Sequence, residues 1–335
     1  MIKGIVFTEP KKACFTDVPE PLMKQNYVLV KLERSTVSSG TERANLLGMD
    51  RVSTLDEQPG FPRRIGYSSS GIIVDKGEDV KELKIGDRVC ASWTTHSKLC
   101  ALNTNKVTLL DDSISFGEGA LVHIATFPMA AIRKTALEMG ESAIVMGMGI
   151  LGLIAVKLLR VAGACPIIAV DPDPEKRRIA LEYGADYAFD PYEEGFAQSV
   201  MAVTGKGASV GIEVTGIGKG LNGILECMAK MGRVALLGCT RNSDFTVDYY
   251  GKVHGRGISL IGAHTLARPK SESSHGLWTD ADDREAVCKL IKGKRLDLGS
   301  MIEEVRSPEE ASEVYTRLAN EKTFPVLQFD WSKVK

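Results

Sequence analysis

The chain has 335 residues, of which 44% are hydrophobic, and its formal net charge is −1. That length and composition are sufficient for two domains with a large buried core. The near-neutral charge, without a basic stripe, excludes an electrostatic surface for nucleic acid or an anionic membrane, so we expect neither partner. The seven cysteines are scattered and form no Cys-x-x-Cys pair, which argues against a disulfide framework and a structural zinc knot.

The N-terminal apolar stretch, residues 2–7, is too short for a signal peptide, and no segment approaches the length of a membrane span. We therefore expect a cytoplasmic location. Up to residue 120 the pattern is typical of short strands and Gly-rich turns, with strands predicted at 2–7, 27–35, 71–75, 88–91 and 98–101. This pattern favours an all-β fold or a compact barrel.

A glycine-rich loop follows in the middle of the chain, with the sequence Gly-Met-Gly-Ile-Leu-Gly from residue 147 to 152. The pattern around it predicts strand, helix and strand at residues 142–146, 151–161 and 166–170. In this setting Gly147 permits a tight turn, Gly149 lets the backbone approach a pyrophosphate, and Gly152 allows close packing of helix and strand. Ile150 and Leu151 then begin a helix whose N-terminus faces the phosphates.

Asp171 ends the second of these strands, nineteen residues after Gly152. A carboxylate at this spacing accepts both ribose hydroxyls of NAD and repels the additional phosphate of NADP, so we expect NAD. The alternative interpretation is a simple glycine turn followed by a helix-capping Asp171.

The alternation continues with strands predicted at 187–189, 210–214, 234–237 and 258–261 and helices at 193–203 and 221–231. Six short apolar runs separated by helices are typical of a doubly wound parallel sheet. Thr215 follows the fourth run, and Gly238 and Cys239 follow the fifth. These residues are further cofactor candidates because ligands bind at the carboxyl edge of such sheets.

The C-terminal part is predicted to contain a loop with Arg268, helices at 281–292 and 308–320, and a last strand at 326–329. Since these few elements cannot form a core of their own, we expect them to pack on the N-terminal part. The expected domains are 1–121 with 266–335, and 122–265 inserted between them. Arg268 and Trp278 lie in a polar loop, which we expect to be solvated, although a contact with an anionic or sugar substrate is the alternative.

These features together resemble the medium-chain dehydrogenase/reductase superfamily, which includes zinc alcohol and polyol dehydrogenases and zinc-free quinone reductases. The likeness covers nearly the whole chain and rests on residues 66–71, 84–89 and 118–121 and on the glycine loop with Asp171. Residues 38–43 and 66–71 look most like the branch of bacteriochlorophyllide dehydrogenases and two-domain sugar oxidoreductases. The resemblance implies an α/β fold, with a GroES-like β-barrel catalytic domain and a Rossmann doubly wound parallel sheet.

The sequence departs from the zinc enzymes of this family at the metal ligands. The family's cysteine, histidine and cysteine or glutamate positions hold Ser39, Tyr67 and His123 here, and Ser68 replaces the carboxylate after the family histidine. Only His123 is a usual zinc ligand, and a catalytic zinc site needs three protein ligands. We therefore expect no zinc; the alternative is a rebuilt site with Glu42, His123 and Cys100.

Without zinc, another group must donate a proton or a hydrogen bond to the oxygen on the reacting carbon. The resemblance makes Tyr67 the first candidate, because a phenol at a former ligand position can donate to a developing oxyanion. It also implies that Glu42 orients the phenol and accepts its proton, and that Thr41 touches the substrate oxygen. His123 is the rival acid or base.

Structural roles are open for each of these side chains. Tyr67 and His123 are alternatively core residues, and Glu42 is alternatively a helix-start or surface carboxylate. His264, after the sixth strand, is a candidate for contacting cofactor or substrate, because the resemblance implies that the nicotinamide lies nearby. His96 is expected to bond to backbone.

The expected function is zinc-independent, NAD-dependent interconversion of a secondary alcohol of a sugar, polyol or cyclitol and its ketone, since a hydroxyl-rich site suits hydroxylated ligands. The alternatives are a zinc-free NAD(P)H quinone or enone reductase and a dinucleotide-binding protein without turnover. The resemblance also implies a homodimer or homotetramer that pairs through the last strands of the dinucleotide domains.

Overall fold

The computed structural model describes residues 1–49 and 60–334. It divides into two compact units, Met1–Ile124 with Arg284–Lys335, and Ala125–Asp283. Residues 266–283, which the sequence pattern assigns to the first domain, therefore group with the second unit. In the described part of the chain, no helix combines the length and the apolar character needed to cross a membrane.

The helices and strands follow one another in three segments of the chain. The chain up to residue 134 forms β1 (Ile2–Glu9), β2 (Lys12–Val18), β3 (Tyr27–Thr36), α1 (Ser39–Leu46), β4 (Arg63–Arg64), β5 (Ser68–Lys76), β6 (Arg88–Ser92), β7 (Leu99–Asn103), β8 (Val107–Leu109) and α2 (Phe116–Lys134). The central part forms β9 (Ala143–Met146), α3 (Ile150–Ala162), β10 (Ile167–Val170), α4 (Pro174–Glu182), β11 (Tyr187–Phe189), α5 (Phe196–Thr204), β12 (Ala208–Glu213), α6 (Gly218–Cys227), β13 (Met228–Leu236) and β14 (Ser259–Gly262). The last part forms α7 (Asp280–Lys292), β15 (Glu304–Arg306), α8 (Ala311–Asn320) and β16 (Leu327–Asp330).

The first unit is built on two antiparallel-rich sheets. Its larger sheet has the order β15-β16-β3-β5-β6-β8, with β7 also paired to β3, and the smaller one has the order β2-β1-β4. Strand β16 pairs antiparallel with β3, and α8 packs on β2, so this C-terminal segment is part of the first unit. The shared core buries the large side chains of Phe7, Tyr315, Phe329 and Trp331.

The second unit contains a parallel sheet in the order β11-β10-β9-β12-β13-β14. Numbered along the chain this order is 3-2-1-4-5-6, the arrangement that binds dinucleotides where the strand order reverses. The predicted doubly wound sheet is confirmed. Helix α3 ends, as predicted, at Gly163, which adopts a left-handed conformation with φ of 84°.

One local prediction in this unit was wrong, and one helix was missed. The helix predicted at 221–231 ends at Cys227, because β13 already begins at Met228 and runs through the residues expected to be helical. Helix α4 was not predicted. It starts at a capping Asp173 with proline in its first turn, and only Ala180 is buried, so it carries little apolar periodicity.

Candidate active site and dinucleotide loop

The glycine loop lies between β9 and α3, and its three glycines differ in how much space surrounds them. Gly147 has a φ of 101°, which disfavours any residue with a side chain. An ideal Cβ at Gly152 would lie 1.8 Å from the Gly147 carbonyl oxygen, so only glycine fits there. An ideal Cβ at Gly149 would meet nothing within 4 Å. The loop is therefore closed on its inner side and open at Gly149.

Helix α3 begins directly after this opening. Gly149 is its N-cap residue and contributes no side-chain hydrogen bond, so the first backbone N–H groups at Ile150 and Leu151 have no side-chain cap from it. Free N–H groups and the positive end of a helix dipole attract phosphate. Together with the space at Gly149, they fit the pyrophosphate of a dinucleotide.

Asp171 lies at the end of β10, beside the glycine loop. Its Oδ2 accepts a hydrogen bond of 2.8 Å from Met148 N, and its Oδ1 accepts one of 2.9 Å from Asp173 N. A carboxylate oxygen can accept a second hydrogen bond, so both atoms retain capacity for ribose hydroxyls. The buried carboxylate is thus fixed in place by backbone on both sides, which fits the predicted ribose contact.

The structure brings the loops after β12 and β13 against the glycine loop. An ideal Cβ at Gly147 would lie 2.9 Å from Thr215 Cγ2, and one at Gly238 would lie 2.4 Å from Gly216 N. Cys239 is exposed at this edge. Thr215, Gly238 and Cys239 therefore lie together with Gly147, as expected for the carboxyl edge of a parallel sheet.

Glu213, which the sequence pattern did not single out, holds one of these loops. Its buried carboxylate accepts hydrogen bonds from Thr215 N at 2.8 Å and from Gly216 N at 3.1 Å. Burial raises the pKa of Glu213, against the opposing effect of the hydrogen bonds from Thr215 and Gly216. A carboxylate at the end of an apolar strand was the signal that could have found it.

His264 follows β14 by two residues. Its Nδ1 accepts a hydrogen bond of 3.2 Å from Leu266 N. Burial lowers the pKa of His264, and the nearby Lys134 ammonium lowers it further. Lys134 Nζ donates to the backbone oxygens of Gly262 and Ala267 on either side of this histidine. His264 is therefore a neutral imidazole near physiological pH, with its proton assigned to Nε2 by the Leu266 bond.

In the first unit, the Tyr67 hydroxyl donates a hydrogen bond to Ser38 Oγ. Ser38 is the N-cap residue of α1 and is buried, while Tyr67 is half-buried just before β5. Ser38 N in turn donates to Glu42 Oε1 at 2.9 Å. The serine therefore stands between the phenol and the carboxylate.

The remaining hydrogen bonds of Glu42 come from two side chains of the first unit. Tyr315 Oη donates to Oε2 at 2.6 Å, and His96 Nε2 lies 3.2 Å from Oε1. Burial raises the pKa of Tyr315 well above its usual value, and the Glu42 charge adds to this effect, so Tyr315 stays a donor. The expectation that Glu42 directly orients Tyr67 is wrong, because Ser38 accepts the phenol's hydrogen bond.

His96 makes side-chain contacts rather than the backbone contact that was expected of it. Its Nδ1 lies 2.7 Å from Ser35 Oγ, and Trp331 Nε1 donates to the same oxygen at 2.8 Å. Because Ser35 Oγ accepts from Trp331, its own hydrogen is available to His96 Nδ1. With Ser35 Oγ donating to Nδ1, the Nε2 atom is the donor to Glu42 Oε1.

His123 lies on α2, fully buried, with its ring centroid 5.9 Å from Tyr67 and 5.1 Å from Trp93, both in edge-on contact. Trp93 is 39% exposed and has a φ of 58°, a conformation that is strained for a bulky residue. The backbone N–H of Trp93 donates to the Tyr67 carbonyl oxygen at 2.7 Å. The structure thus brings Tyr67 and His123 together, with Trp93 as a third wall that the sequence pattern did not reveal.

The positions to which the family resemblance assigns zinc ligands supply few metal donors here. Ser39 and Thr41 are half-buried in the first turn of α1, and Ser68 Oγ donates to the Ala120 carbonyl oxygen at 2.7 Å. Within residues 1–49 and 60–334, no three His, Cys, Asp or Glu side chains form a group that could hold a metal ion. The alternative set of Glu42, His123 and Cys100 is therefore not assembled, and these residues do not fit a zinc ion.

The polar loop at residues 270–275 is exposed, as expected, but the side chain of Arg268 is buried and Trp278 is half-buried at its ends. The Arg268 side chain is 7% exposed and pairs with Asp280 at 3.4 Å and Asp283 at 3.5 Å. Trp278 packs under the Arg133 guanidinium, whose Cζ lies 3.6 Å from the ring centroid. Both residues therefore belong to a packed ionic cluster of the second unit, which explains why residues 266–283 group with that unit.

Comparison with known proteins agrees with this architecture. Residues 24–136 match the family model of the alcohol dehydrogenase GroES-like domain, and residues 151–277 match that of the zinc-binding dehydrogenase. D-guloside 3-dehydrogenase of Escherichia coli K12 is 23% identical over 96% of this chain and 97% of that protein. Scyllo-inosose 3-dehydrogenase of Thermotoga maritima is 24% identical over 92% of this chain and 87% of that protein.

Solved structures show the same fold. The crystal structure of galactitol-1-phosphate dehydrogenase from Escherichia coli superposes with a TM-score of 0.86 at 18% identity, covering 98% of this chain and 100% of the other. The confirmed architecture is a GroES-like domain together with a parallel dinucleotide-binding sheet.

Proposed function

We propose that the chain is a zinc-independent, NAD-dependent dehydrogenase of the medium-chain dehydrogenase/reductase superfamily. Its reaction interconverts a secondary alcohol of a sugar, polyol or cyclitol and the corresponding ketone. The observation that carries this proposal is the phenol of Tyr67, which is held by Ser38; the family resemblance implies a zinc ligand at position 67. The domain matches and the full-length likeness to dehydrogenases of CH–OH groups support the reaction class.

The substrate class rests on the lining of the first unit. Ser38, Ser39, Thr41 and Tyr67 place hydroxyl groups in and beside the first turn of α1. Hydroxyl groups both donate and accept, so they suit a ligand that carries several hydroxyls of its own. Two relatives, a guloside dehydrogenase and an inosose dehydrogenase, point to the same chemistry.

The nicotinamide cofactor, when bound, supplies the hydride acceptor or donor. Residues of this chain transfer the proton and bind the substrate oxygen. Tyr67 exchanges a proton with the substrate oxygen, Thr41 offers that oxygen a second hydrogen bond, and His123 is the alternative acid or base. Glu42 acts indirectly, because it accepts a hydrogen bond from Ser38 N and so fixes the backbone of Ser38.

For the cofactor we propose NAD. Gly147, Gly149 and Gly152, with Ile150 and Leu151, form the pyrophosphate loop, and the remaining contacts are assigned to Asp171, Thr215, Gly238, Cys239 and His264. The fixed carboxylate of Asp171 supports NAD over NADP, because the additional phosphate of NADP would meet a buried negative charge.

We further propose a homodimer or homotetramer. Strand β14 is at the edge of the parallel sheet, and Leu260 and Ile261 on it are partly exposed. Such an edge can pair with the same strand of a second copy. Size-exclusion chromatography with light scattering tests this, and a monomer would reject it.

One observation favours a second candidate, a quinone or enone reductase. The ring of Trp93 packs near Tyr67 and His123 and remains partly exposed, which provides an aromatic wall for a flat substrate. That class would prefer NADPH, against which Asp171 argues. Enones and quinones with NADH and NADPH therefore belong in the activity panel.

The test combines metal analysis with turnover. Purified protein is analysed for zinc by plasma mass spectrometry, and NAD reduction is followed over polyols, sugars and cyclitols before and after a strong chelator. The proposal expects near-zero zinc and chelator-resistant turnover. Stoichiometric zinc with chelator-sensitive turnover would reject zinc independence. Cofactor binding without turnover on any substrate would indicate a non-catalytic dinucleotide-binding protein.

A further inference from the structure

The N-cap of α1 is unusual in how it uses its side chain. Serine at this position normally accepts a hydrogen bond from a backbone N–H of the first turn. Ser38 is the N-cap residue, but its side chain makes no capping bond. Its Oγ instead accepts the hydroxyl hydrogen of Tyr67. The serine hydroxyl is therefore reserved for the phenol.

The rest of Ser38 is held firmly. Its N–H donates to Glu42 Oε1 at 2.9 Å, and its carbonyl oxygen accepts from Glu42 N at 2.8 Å. The same carboxylate is anchored by Tyr315 and His96. Among the described residues, the Ser38 hydroxyl makes no second hydrogen bond, so its own hydrogen is uncommitted. A fixed backbone with an uncommitted hydroxyl hydrogen suits a group that must change from acceptor to donor.

We propose that Ser38 is the positioning residue of Tyr67, accepting a hydrogen bond from the phenol and donating one to the phenolate. This inference rests on the proposed dehydrogenase function. In the oxidative direction, the substrate O–H bond breaks and its proton passes to the Tyr67 oxygen. The carbinol C–H bond breaks with its electron pair, which leaves as hydride to the oxidised nicotinamide. The Ser38 hydrogen then rotates away, and the new phenol donates to Ser38 Oγ as in the structure.

The energetic reason is that a hydrogen bond to an ionised oxygen is about twice as strong as one between neutral groups. Ser38 therefore stabilises the phenolate more than the phenol. The titratable groups around this pair are His123 on α2, Glu42 on α1 with His96 and Tyr315 behind it, and Lys106 beyond the Trp93 ring. These groups are the same in the variants below, so a difference between variants reports the Ser38 hydroxyl.

The experiment compares full-length wild type, Ser38→Ala and Ser38→Thr, each with and without Tyr67→Phe. Ultraviolet absorbance follows tyrosinate formation with pH, and subtracting the Tyr67→Phe curve isolates residue 67. For Ser38→Ala we expect tyrosinate to form about one pH unit higher. The pH dependence of kcat should move by the same amount, and kcat at neutral pH should fall roughly tenfold. Ser38→Thr, which keeps a hydroxyl, should restore both readouts.

Ser307→Ala is the matched control. Ser307 is also an N-cap serine, but its side chain does accept a hydrogen bond, from Glu309 N. Loss of this capping bond in Ser307→Ala should lower the melting temperature and leave the pH profile unchanged. Ser38→Ala, in contrast, loses no capping bond. An unshifted tyrosinate curve in Ser38→Ala would overturn the inference. Equal shifts of the tyrosinate curve and of the kcat profile in Ser38→Ala and Ser38→Thr would also overturn it. Wild type without turnover on any substrate would reject the proposed function alone, because a tyrosinate shift would still support the pairing.

Discussion

The Asp171 carboxylate and the Met148 backbone are joined by a hydrogen bond of 2.8 Å from Met148 N to Asp171 Oδ2. Asp171, which is expected to bind the cofactor ribose, therefore also stabilises the glycine loop. Charge and hydrogen-bond acceptance are separable roles, because an asparagine keeps one acceptor oxygen and loses the charge.

Substitution at Asp171 should separate these roles. Asp171→Asn should reduce the preference for NAD over NADP by about tenfold, because the charge is lost. It should also lower loop stability modestly, because only one of the two oxygens that accept from Met148 N and Asp173 N remains. Asp171→Ala should weaken both dinucleotides and narrow the preference. Calorimetric titration of each variant with both cofactors measures this. An unchanged preference in both variants would show that the ribose assignment is wrong.

The two glycines of the loop should respond differently to alanine. Gly152→Ala should destabilise the second unit strongly, because its Cβ would lie 1.8 Å from the Gly147 carbonyl oxygen. Gly149→Ala should fold normally, since nothing lies within 4 Å of that Cβ. It should nevertheless weaken dinucleotide binding by about tenfold or more, because the methyl group occupies the approach of the pyrophosphate. Thermal melts and binding titrations test the pair, and full affinity in Gly149→Ala would contradict the assignment.

Tyr67→Phe should reduce kcat by roughly a hundredfold or more while NAD affinity stays unchanged, because the ring packing remains and the proton donor is lost. Tyr192→Phe, at an exposed tyrosine, is the control and should have wild-type rates. Steady-state kinetics with the best substrate of the panel gives the answer. A wild-type rate in Tyr67→Phe would remove the phenol from the mechanism and leave His123 as the candidate.

The raised pKa of Glu213 predicts how the stability of the protein depends on pH. Burial raises its pKa in the folded state, so the folded protein binds this proton more tightly than the unfolded chain. The contribution of Glu213 is then greatest below its unfolded pKa and is lost as pH rises through the folded pKa. Relative to wild type, Glu213→Gln should gain stability as pH rises from acidic to neutral. Urea unfolding across that range measures the difference, with the exposed Glu194→Gln as a flat control.

Arg268 should contribute to stability more than a surface arginine does. Arg268→Met would leave the buried Asp283 with one cation fewer, at a cost of about 3 kcal/mol in the free energy of unfolding. Arg178→Met, which removes exposed pairs with Glu175 and Glu182, should lower the free energy of unfolding much less, because solvent screens these pairs. Denaturant titration compares them. Equal costs would show that the cluster around Arg268 is not a buried network.

Much of the second unit was predictable from its sequence. The apolar runs and their spacing predicted the parallel sheet, and the glycines predicted a closed turn because their constraints are local. Helix α4 and the start of β13 escaped prediction, since the first has few buried residues and the second begins within a segment of helical appearance.

The first unit was predictable in class but not in its contacts. A pattern of short strands indicated an all-β fold, and the resemblance indicated which residues to examine. Neither indicated that Ser38 accepts the bond from Tyr67 or that Trp93 lies beside His123. In the second unit, nothing in the sequence indicated that Arg268 is buried. Each of these facts depends on the packing of segments that are far apart in the chain.

The sequence by itself therefore determined the glycine loop and the acidic residue beside it, because these depend on residue type and short spacing. The tertiary structure decided the hydrogen-bond partners of Glu42, which holds the serine beside the candidate acid Tyr67. Tyr315 is 273 residues away from Glu42 in sequence, and His96 is 54 residues away, yet both occupy its carboxylate. A buried carboxylate must be satisfied by whatever donors the fold brings to it, and that choice is made by long-range packing.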